Sequence, residues 1–423
     1  MILEKSLSGK KIGFLTSNFP EDTQTFVLKQ IINTIEQHHD INVFTEQIKS
    51  FSDSTMSTDL ETYKLKEKVI SYKNKSYIKA LFFCMLHAIK KKSAQPIYLV
   101  LKAMLGRSHA LRLKHYSTLS PLQKKPPFDL IHAQFGVNGI KAIQAKLCGH
   151  INCPIITTFH GYDAHFNATS LQSQRRKYKW LFHYGDLFTV NSQYLKQQLI
   201  TLGCPEEKIH LVVMGIDTNF FTVAEGMEIT DNKKNHKENT LKLISVGRLI
   251  ELKNQKAAIT AVKKLRGNGV IATCTIIGDG AMRNELEQYA EQLNIYDFIH
   301  FRGTLNQQEI LDELQSHDVF LMTSTQDADG RQETQGVVTG EAQSCGLPVV
   351  MFDYGGTKST IENGKTGFIC QNEEEFIEKI MQLNDPNLRK IFGKNARLFI
   401  EKNYSIEKSN ADMNRIYRSL LCA

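Results

Sequence analysis

Leu241-Lys-Leu-Ile-Ser-Val246-Gly-Arg248-Leu-Ile-Glu-Leu-Lys253-Asn254 is an apolar run that closes on a glycine and two cations. The first six residues suit a buried strand of a parallel sheet. Gly247 lets the backbone turn sharply at the strand's C-terminal end. Open α/β sheets bind ligands at that end, and two neighbouring cations there would suit a diphosphate. The rhythm continues with strands at Ile271–Ile277, Phe298–Phe301, Asp318–Thr323 and Pro348–Phe352, parted by helical sequence.

An earlier series has the same pattern. Lys11–Thr16, Ile41–Thr45, Asp129–Gln134, Ile155–Phe159, Leu187–Asn191 and Ile209–Val213 read as strands, with an amphipathic helix from about Gln24 to Gln37. Repeated β-α-β units imply parallel sheets covered by helices on both faces. Two such series predict an α/β protein of two Rossmann-like, doubly wound domains facing across a cleft. The expected boundaries are 1–216, a polar linker or loop over 217–240, a second domain over 241–402, and a terminal helix over 403–423 that returns to the first domain. At 423 residues the chain is too long for one ordinary core.

Hydrophobic residues at 41% and charged residues at 23% fit a folded protein rather than a disordered one. No apolar run approaches the ~18 residues of a membrane-spanning helix. Met1–Lys11 has no apolar core of a secretory signal, so a cytoplasmic address is expected. The eight cysteines are scattered without paired C-x-x-C spacing, which predicts reduced, buried thiols and no zinc site.

Charge is uneven. Residues 1–224 carry 28 Lys/Arg against 16 Asp/Glu, and the remainder 24 against 28. Within Lys64–Lys125 the count is 15 basic to one acidic, Glu67. Such density implies an anionic partner, phospholipid or nucleic acid, unless the cations are simply solvated. Ile78, Leu81, Phe82, Met85, Leu86 and Ile89 fall on one helical face just before Lys90, Lys91 and Lys92. That suits either a helix at a membrane interface or core packing.

Glu333-Thr-Gln335-Gly336-Val337-Val-Thr-Gly-Glu341 places two carboxylates eight positions apart. A helix starting near Gly336 would turn its free N–H groups and positive dipole end toward an anion. A carboxylate in the preceding loop accepts strong hydrogen bonds from sugar hydroxyls. Ile276-Ile-Gly278-Asp-Gly280 ends another strand, but Arg283 stands where a dinucleotide fingerprint has its third glycine.

The order Gly-Arg-Leu…Lys-Asn, Gly-Asp-Gly, Glu-x7-Glu and Gly346-Leu-Pro-Val-Val350 resembles the C-terminal half of the family-four retaining glycosyltransferases, over Lys242–Cys370. Phe159-His160-Gly161-Tyr162-Asp163 is similar to that family's histidine loop. Asn191-Ser-Gln-Tyr-Leu195 and Met214-Gly-Ile-Asp217 fit its approach to the interdomain hinge. Asn18 to Val27 and Ile131-His-Ala-Gln134-Phe-Gly136 are similar to the colanic-acid and related exopolysaccharide branch.

The resemblance implies a GT-B fold and transfer of a sugar from a UDP- or GDP-sugar to a saccharide or lipid-linked acceptor of a bacterial surface polysaccharide or glycolipid. It implies no metal and no other cofactor, and a peripheral position at the inner face of the cytoplasmic membrane. Arg248 and Lys253 would bind the donor diphosphate, beside Gly278. Glu333 would hold the donor sugar, with the backbone of Gln335, Gly336 and Val337 nearby. Glu341 would grip the ribose and the backbone near Arg302 would meet the base. His160 would orient the sugar, while Thr23, Gln24, Thr25 and Asp163 would line the acceptor side.

Three positions depart from the family pattern. Gly355-Gly356-Thr357-Lys358-Ser359 replaces a Gly-Gly-Ile-Pro-Glu turn, Gln24 replaces an acidic residue, and Gln134 replaces a histidine. The departures bear on acceptor and donor choice, not on reaction class. A dinucleotide oxidoreductase lacks its glycine fingerprint here. A nucleic-acid binder lacks interleaved aromatic and basic residues in Lys64–Lys125 and leaves the second domain idle. An inactive scaffold would have no use for Arg248, Lys253, Glu333 and Glu341.

Overall fold

The computed structural model describes residues 9–21, 24–52, 54, 56–72, 118–123, 127–224 and 240–422. The expected helical face from Ile78 to Ile89, with Lys90, Lys91 and Lys92 after it, lies outside these residues.

The first half runs β1 (Lys11–Phe19), α1 (Thr25–Glu36), β2 (Asp40–Ile48), α2 (Ser57–Thr62), α3 (Leu65–Lys68), β3 (Val69–Ser71), β4 (Leu130–Gln134), α4 (Gly136–Leu147), β5 (Ile155–Thr158), α5 (Leu171–Tyr184), β6 (Leu187–Val190), α6 (Gln193–Thr201) and β7 (Ile209–Leu211). These strands form one sheet in the order β3-β2-β1-β4-β5-β6-β7, and every pairing is parallel. Because helices cover both faces, the central strands are shielded along their length: all five residues of β4 are buried.

The second half runs β8 (Leu241–Val246), α7 (Gln255–Gly267), β9 (Ala272–Ile277), α8 (Arg283–Gln292), β10 (Ile299–Gly303), α9 (Gln307–Ser316), β11 (Val319–Met322), α10 (Val337–Ser344), β12 (Val349–Phe352), β13 (Gly367–Cys370), α11 (Glu373–Gln382), α12 (Pro386–Asn403) and α13 (Ile406–Leu421). Its sheet has the order β10-β9-β8-β11-β12-β13, again all parallel. The fold is α/β, with two Rossmann-like sheets. In each, the strand order reverses at one place, between β1 and β4 and between β8 and β11. Ligand sites of such sheets lie at these switch points, beyond the strand C-termini.

Two strands escaped the sequence reading. β3 is a three-residue edge in charged surroundings, and β13 is a four-residue run that begins on Gly367, each too short to show a period. The stretch from residue 217 is only partly a polar loop. Phe221 is buried, and the Arg397 guanidinium donates to the carbonyls of Thr218, Phe221 and Ser344. One cation thus satisfies three carbonyls and ties the chain to α12 before residues 225–239.

Helix α13 leaves the second half and packs on the first. Met413, Ile416 and Tyr417 share a buried cluster with Ile12, Phe14, Val27 and Ile31. Ile216 exchanges backbone hydrogen bonds with Tyr404 and Ile406 at 2.8 and 2.9 Å, so the two crossing segments pair with each other. No described helix is long and apolar enough to cross a membrane. The described cysteines form no disulfide, and burial holds the Cys153 and Cys274 thiols up at about 11 and about 12.

Candidate functional site

On the second sheet's side, the turn after β8 is held from below. Gly278 adopts φ +129°, and a Cβ there would lie 2.0 Å from the Gly247 carbonyl oxygen. Only glycine lets the β9 loop sit this close beneath the β8 turn. Gly278 is therefore a support for Arg248, a different part from the expected contact with the donor. The Arg248 carbonyl accepts from buried Gln255 Nε2 at 3.0 Å, and its exposed guanidinium lines the cleft.

Lys253 ends a short turn, where the Thr323 hydroxyl donates to its carbonyl at 2.6 Å. Its ammonium forms an ion pair with Glu333, both side chains mostly shielded from water. The residues expected to hold diphosphate and sugar thus meet directly. Glu333 is in turn fixed by the glycine pair after β12: Gly356 N donates to the Glu333 carbonyl at 2.8 Å, and a Cβ at Gly356 would fall 1.9 Å from the Thr334 carbonyl oxygen. Lys358, next in that turn, pairs with Asp353 at 2.8 Å and holds its carboxyl below the usual range.

Helix α10 begins where expected, with Gly336 as a left-handed cap at φ +71°. Val337 opens the helix, so its N–H is one of the first-turn groups that no helical carbonyl accepts. Burial raises the Glu341 carboxyl to about 7, and Lys29 on α1 opposes that rise. The Gln335 side chain is buried and does something the sequence did not announce. Its Oε1 accepts from Met214 N at 2.7 Å and its Nε2 donates to Met214 O at 2.8 Å. A side-chain amide pairing with a backbone amide in this way fastens the two halves. Arg302 points away to Glu313, at 3.0 Å.

On the first sheet's side, the histidine loop is shaped by Asp163. Its buried carboxylate accepts from Gly136 N at 2.7 Å and from His160 N and Gly161 N at 3.1 Å. Tyr178 donates to its carbonyl at 2.5 Å. Asp163 therefore braces the loop from inside, and the expected acceptor-side position is not where the fold puts it. Burial raises its carboxyl, and these N–H donors oppose the rise.

His160 itself is enclosed by Phe26 and Phe135, with ring centroids 4.4 and 4.6 Å away. Its Nε2 lies 2.9 Å from Gln134 Oε1, whose amide nitrogen donates to Gln30. This network assigns the Nε2–H tautomer. Nδ1 then carries a lone pair, buried and without a hydrogen-bond partner among the described residues. Burial lowers the imidazole to about 3, so it is neutral at pH 7. Behind it, His132 bridges Tyr417 of α13 at 2.7 Å and Thr158 at 2.6 Å.

A cavity of about 240 Å³ between the halves gathers His160, Arg248, Glu333, Thr334, Tyr194 and Arg331. It is smaller than the ~300 Å³ at the low end for drug-sized ligands, so a whole nucleotide sugar must extend past it. Lys253 reaches it through Glu333. Gln24 and Thr25 start α1, one residue before Phe26 touches His160; Thr23 lies outside the described residues. Thr334 was missed by the sequence reading. Its hydroxyl donates to the His160 carbonyl at 3.1 Å and accepts from Asn191 at 3.1 Å, across the cleft. Its place just after Glu333 was the available signal. Among the described residues, no group of three or more His, Cys, Asp or Glu is placed to hold a metal ion.

Comparison with known proteins follows the same division. Residues 227–399 match the family described as glycosyl transferases group 1, and residues 90–220 match glycosyltransferase family 4. The chain is 30% identical, over 86% of its length and 87% of the other's, to a putative colanic acid biosynthesis glycosyltransferase, WcaL, of Salmonella typhimurium. It is 26% identical, over 72% and 79%, to an Escherichia coli enzyme named UDP-Gal:alpha-D-GlcNAc-diphosphoundecaprenol alpha-1,3-galactosyltransferase. Among solved structures, Anabaena HepE in complex with UDP superposes with a TM-score of 0.71 at 19% identity, covering 97% of this chain and all of that one.

Proposed function

The chain belongs to the family 4 glycosyltransferases, a nucleotide-sugar-dependent retaining hexosyltransferase by family, and on that premise we propose how its cleft divides the work. The N-terminal half, closed by α13, takes the acceptor, and the C-terminal half takes a UDP- or GDP-sugar. Arg248 and Lys253 bind the donor diphosphate and stabilise the leaving phosphate as negative charge develops. Glu333 keeps Lys253 in place and accepts hydrogen bonds from donor-sugar hydroxyls with its remaining capacity. The Nδ1 lone pair of neutral His160 accepts from a further hydroxyl and orients the sugar. Glu341 receives the ribose hydroxyls.

The observation that carries this reading is one cavity reached from both sheets: His160 from the loop after β5, and Arg248 and Glu333 from the loops after β8 and β11, with Lys253 paired to Glu333. The acceptor class is a saccharide or a lipid-linked sugar of a bacterial surface polysaccharide, supported by the names of the relatives. A lipid-linked acceptor supports a position at the inner face of the cytoplasmic membrane, with the basic stretch Lys64–Lys125 drawn to anionic lipid.

The test is incubation with a panel of UDP- and GDP-sugars and lipid-linked acceptors, with products read by mass spectrometry and anomeric NMR. One donor should yield a product of retained configuration. Inversion, or hydrolysis alone with every acceptor, overturns the reading. Transfer should persist after exhaustive EDTA treatment, because Arg248 and Lys253 supply the positive charge; loss restored only by Mn²⁺ or Mg²⁺ would contradict that assignment.

A further inference from the structure

Helix α5 carries an exposed surface that the cleft chemistry does not use. Its sequence, Leu171-Gln-Ser-Gln-Arg-Arg-Lys-Tyr-Lys-Trp-Leu-Phe-His-Tyr184, has no acidic residue. Tyr178, Leu181 and Phe182 are buried against the sheet. Facing outward are two adjoining stripes at helical spacing, Arg176-Lys179-His183 and Lys177-Trp180-Tyr184. Trp180, the chain's one tryptophan, is 58% exposed, and its ring stacks on Tyr184 with 3° between the planes. Arg175 spends its Nε on the Thr201 carbonyl, whereas Arg176 and Lys179 have no acid partner among the described residues.

Arg175, Arg176, Lys179, Trp180 and His183 rim a hollow closed on its other side by Leu202, Gly203 and Pro205. The neighbouring acid Glu206 is paired with Lys196 at 2.9 Å. Helix α6 links the hollow to the cleft: Tyr194 and Gln198 line the cleft, and Leu202 lines the hollow. Four residues of helix separate Gln198 from Leu202, about 6 Å.

An exposed indole with an apolar body and a polar N–H suits the boundary between headgroups and acyl chains. Unpaired cations around it suit negative headgroups. We propose that the outer face of α5 docks on an anionic lipid surface, with Trp180 at the headgroup level and Arg176 and Lys179 on the phosphates. The hollow beside this surface meets α6, whose Tyr194 and Gln198 line the cleft that a lipid-borne acceptor would enter. The inference rests on a lipid-linked acceptor. A nucleic acid would also meet the cations, but it would not draw the indole out of water into an acyl boundary.

The single tryptophan makes the test direct. The full chain is titrated with vesicles of phosphatidylcholine alone and with phosphatidylglycerol added, and Trp180 emission is followed. Anionic vesicles should shift the emission to the blue, brominated lipid should quench it, and salt at about 0.5 M should reverse both, since screening then acts within a few ångströms. Each cation near such a surface contributes about fivefold in partitioning, so Arg176→Glu with Lys179→Glu should weaken the docking that brominated-lipid quenching of Trp180 reports about 25-fold or more, even where Lys64–Lys125 still draws the chain to the vesicles. Transfer to a detergent-dispersed acceptor should be unchanged in that variant, which shows that it folds. Absence of vesicle binding, or co-sedimentation with no blue shift and no quenching, overturns the proposal. So does unchanged quenching of Trp180 in the double variant, or an emission shift with duplex DNA and none with vesicles. Failure of the wild-type chain to transfer to any lipid-linked acceptor in detergent would instead strike the acceptor reading.

Discussion

In the N-terminal half the polar side chains around His160 are neutral and buried; in the C-terminal half the site's side chains are charged and partly open to the cleft. His160, Gln134, His132 and Tyr417 form the first set, with both imidazoles lowered to about 3 by burial. Arg248, Lys253 and Glu333 form the second. Two sheets of one architecture thus bring a neutral histidine, backed by a buried network, and charged groups to one cavity. A neutral, tightly bonded wall fixes orientation, and a charged wall answers an anion whose charge grows during reaction. The fold sets where the loops go, and the loop residues set what they do.

The largest test removes the charged wall. Arg248→Ala and Lys253→Ala should each lower turnover by about 10²–10³ and weaken nucleotide binding, measured by rate and by calorimetric titration. In Lys253→Ala, Glu333 also loses its partner, so the drop should be at least as large as for Arg248→Ala. Equal affinity and rate in both would end the phosphate assignment.

The neutral wall should yield a smaller change. Gln134→Leu removes the acceptor of the His160 Nε2–H, and about tenfold loss in kcat is expected, below the range for groups that move a proton themselves. Nitrogen-15 spectra should show the Nε2–H tautomer in the wild type and a mixture in the variant. Because both folded imidazoles titrate near 3 and an unfolded histidine near 6.5, the unfolded chain binds more protons between those values. Their contribution to stability is therefore full above about pH 6.5 and is lost as pH falls toward 3. Melting temperatures should fall as pH is lowered through that window, and His160→Gln should flatten the curve.

The seam between the walls is tested by Gln335→Leu. The change strands the N–H and C=O of Met214, at a cost of about 2–4 kcal/mol. Thermal unfolding should reveal that loss, whereas a fully solvent-accessible Met214 would leave stability unchanged. Lys358→Ala should do least. Its surface pair with Asp353 is worth at most about 1 kcal/mol, and turnover should stay at the wild-type level; a large loss of donor affinity would mean that Lys358 reaches the phosphate.

Much of this was present in the chain as written. Periodicity revealed both series of strands because a strand buried on two faces must be largely apolar along its length. Gly247-Arg248, Lys253, Glu333 and Gly336 followed from local chemistry, since a turn, a cation and a helix cap each leave a mark within a few residues. Short edges such as β3 and β13 left no such mark. The partners of those residues lie far away in sequence, and no local pattern encodes them. Gln335 reaches Met214 across 121 positions, Thr334 reaches His160 across 174, and His132 reaches Tyr417 across 285. The tertiary structure also turned Asp163 inward, gave Gly278 the task of supporting a neighbouring turn, and exposed Trp180. Burial and long-range contact decide whether a polar side chain binds a ligand or braces the backbone. The sequence therefore determined the two sheets and the charged groups at their ends, and packing decided which of those groups face the cleft.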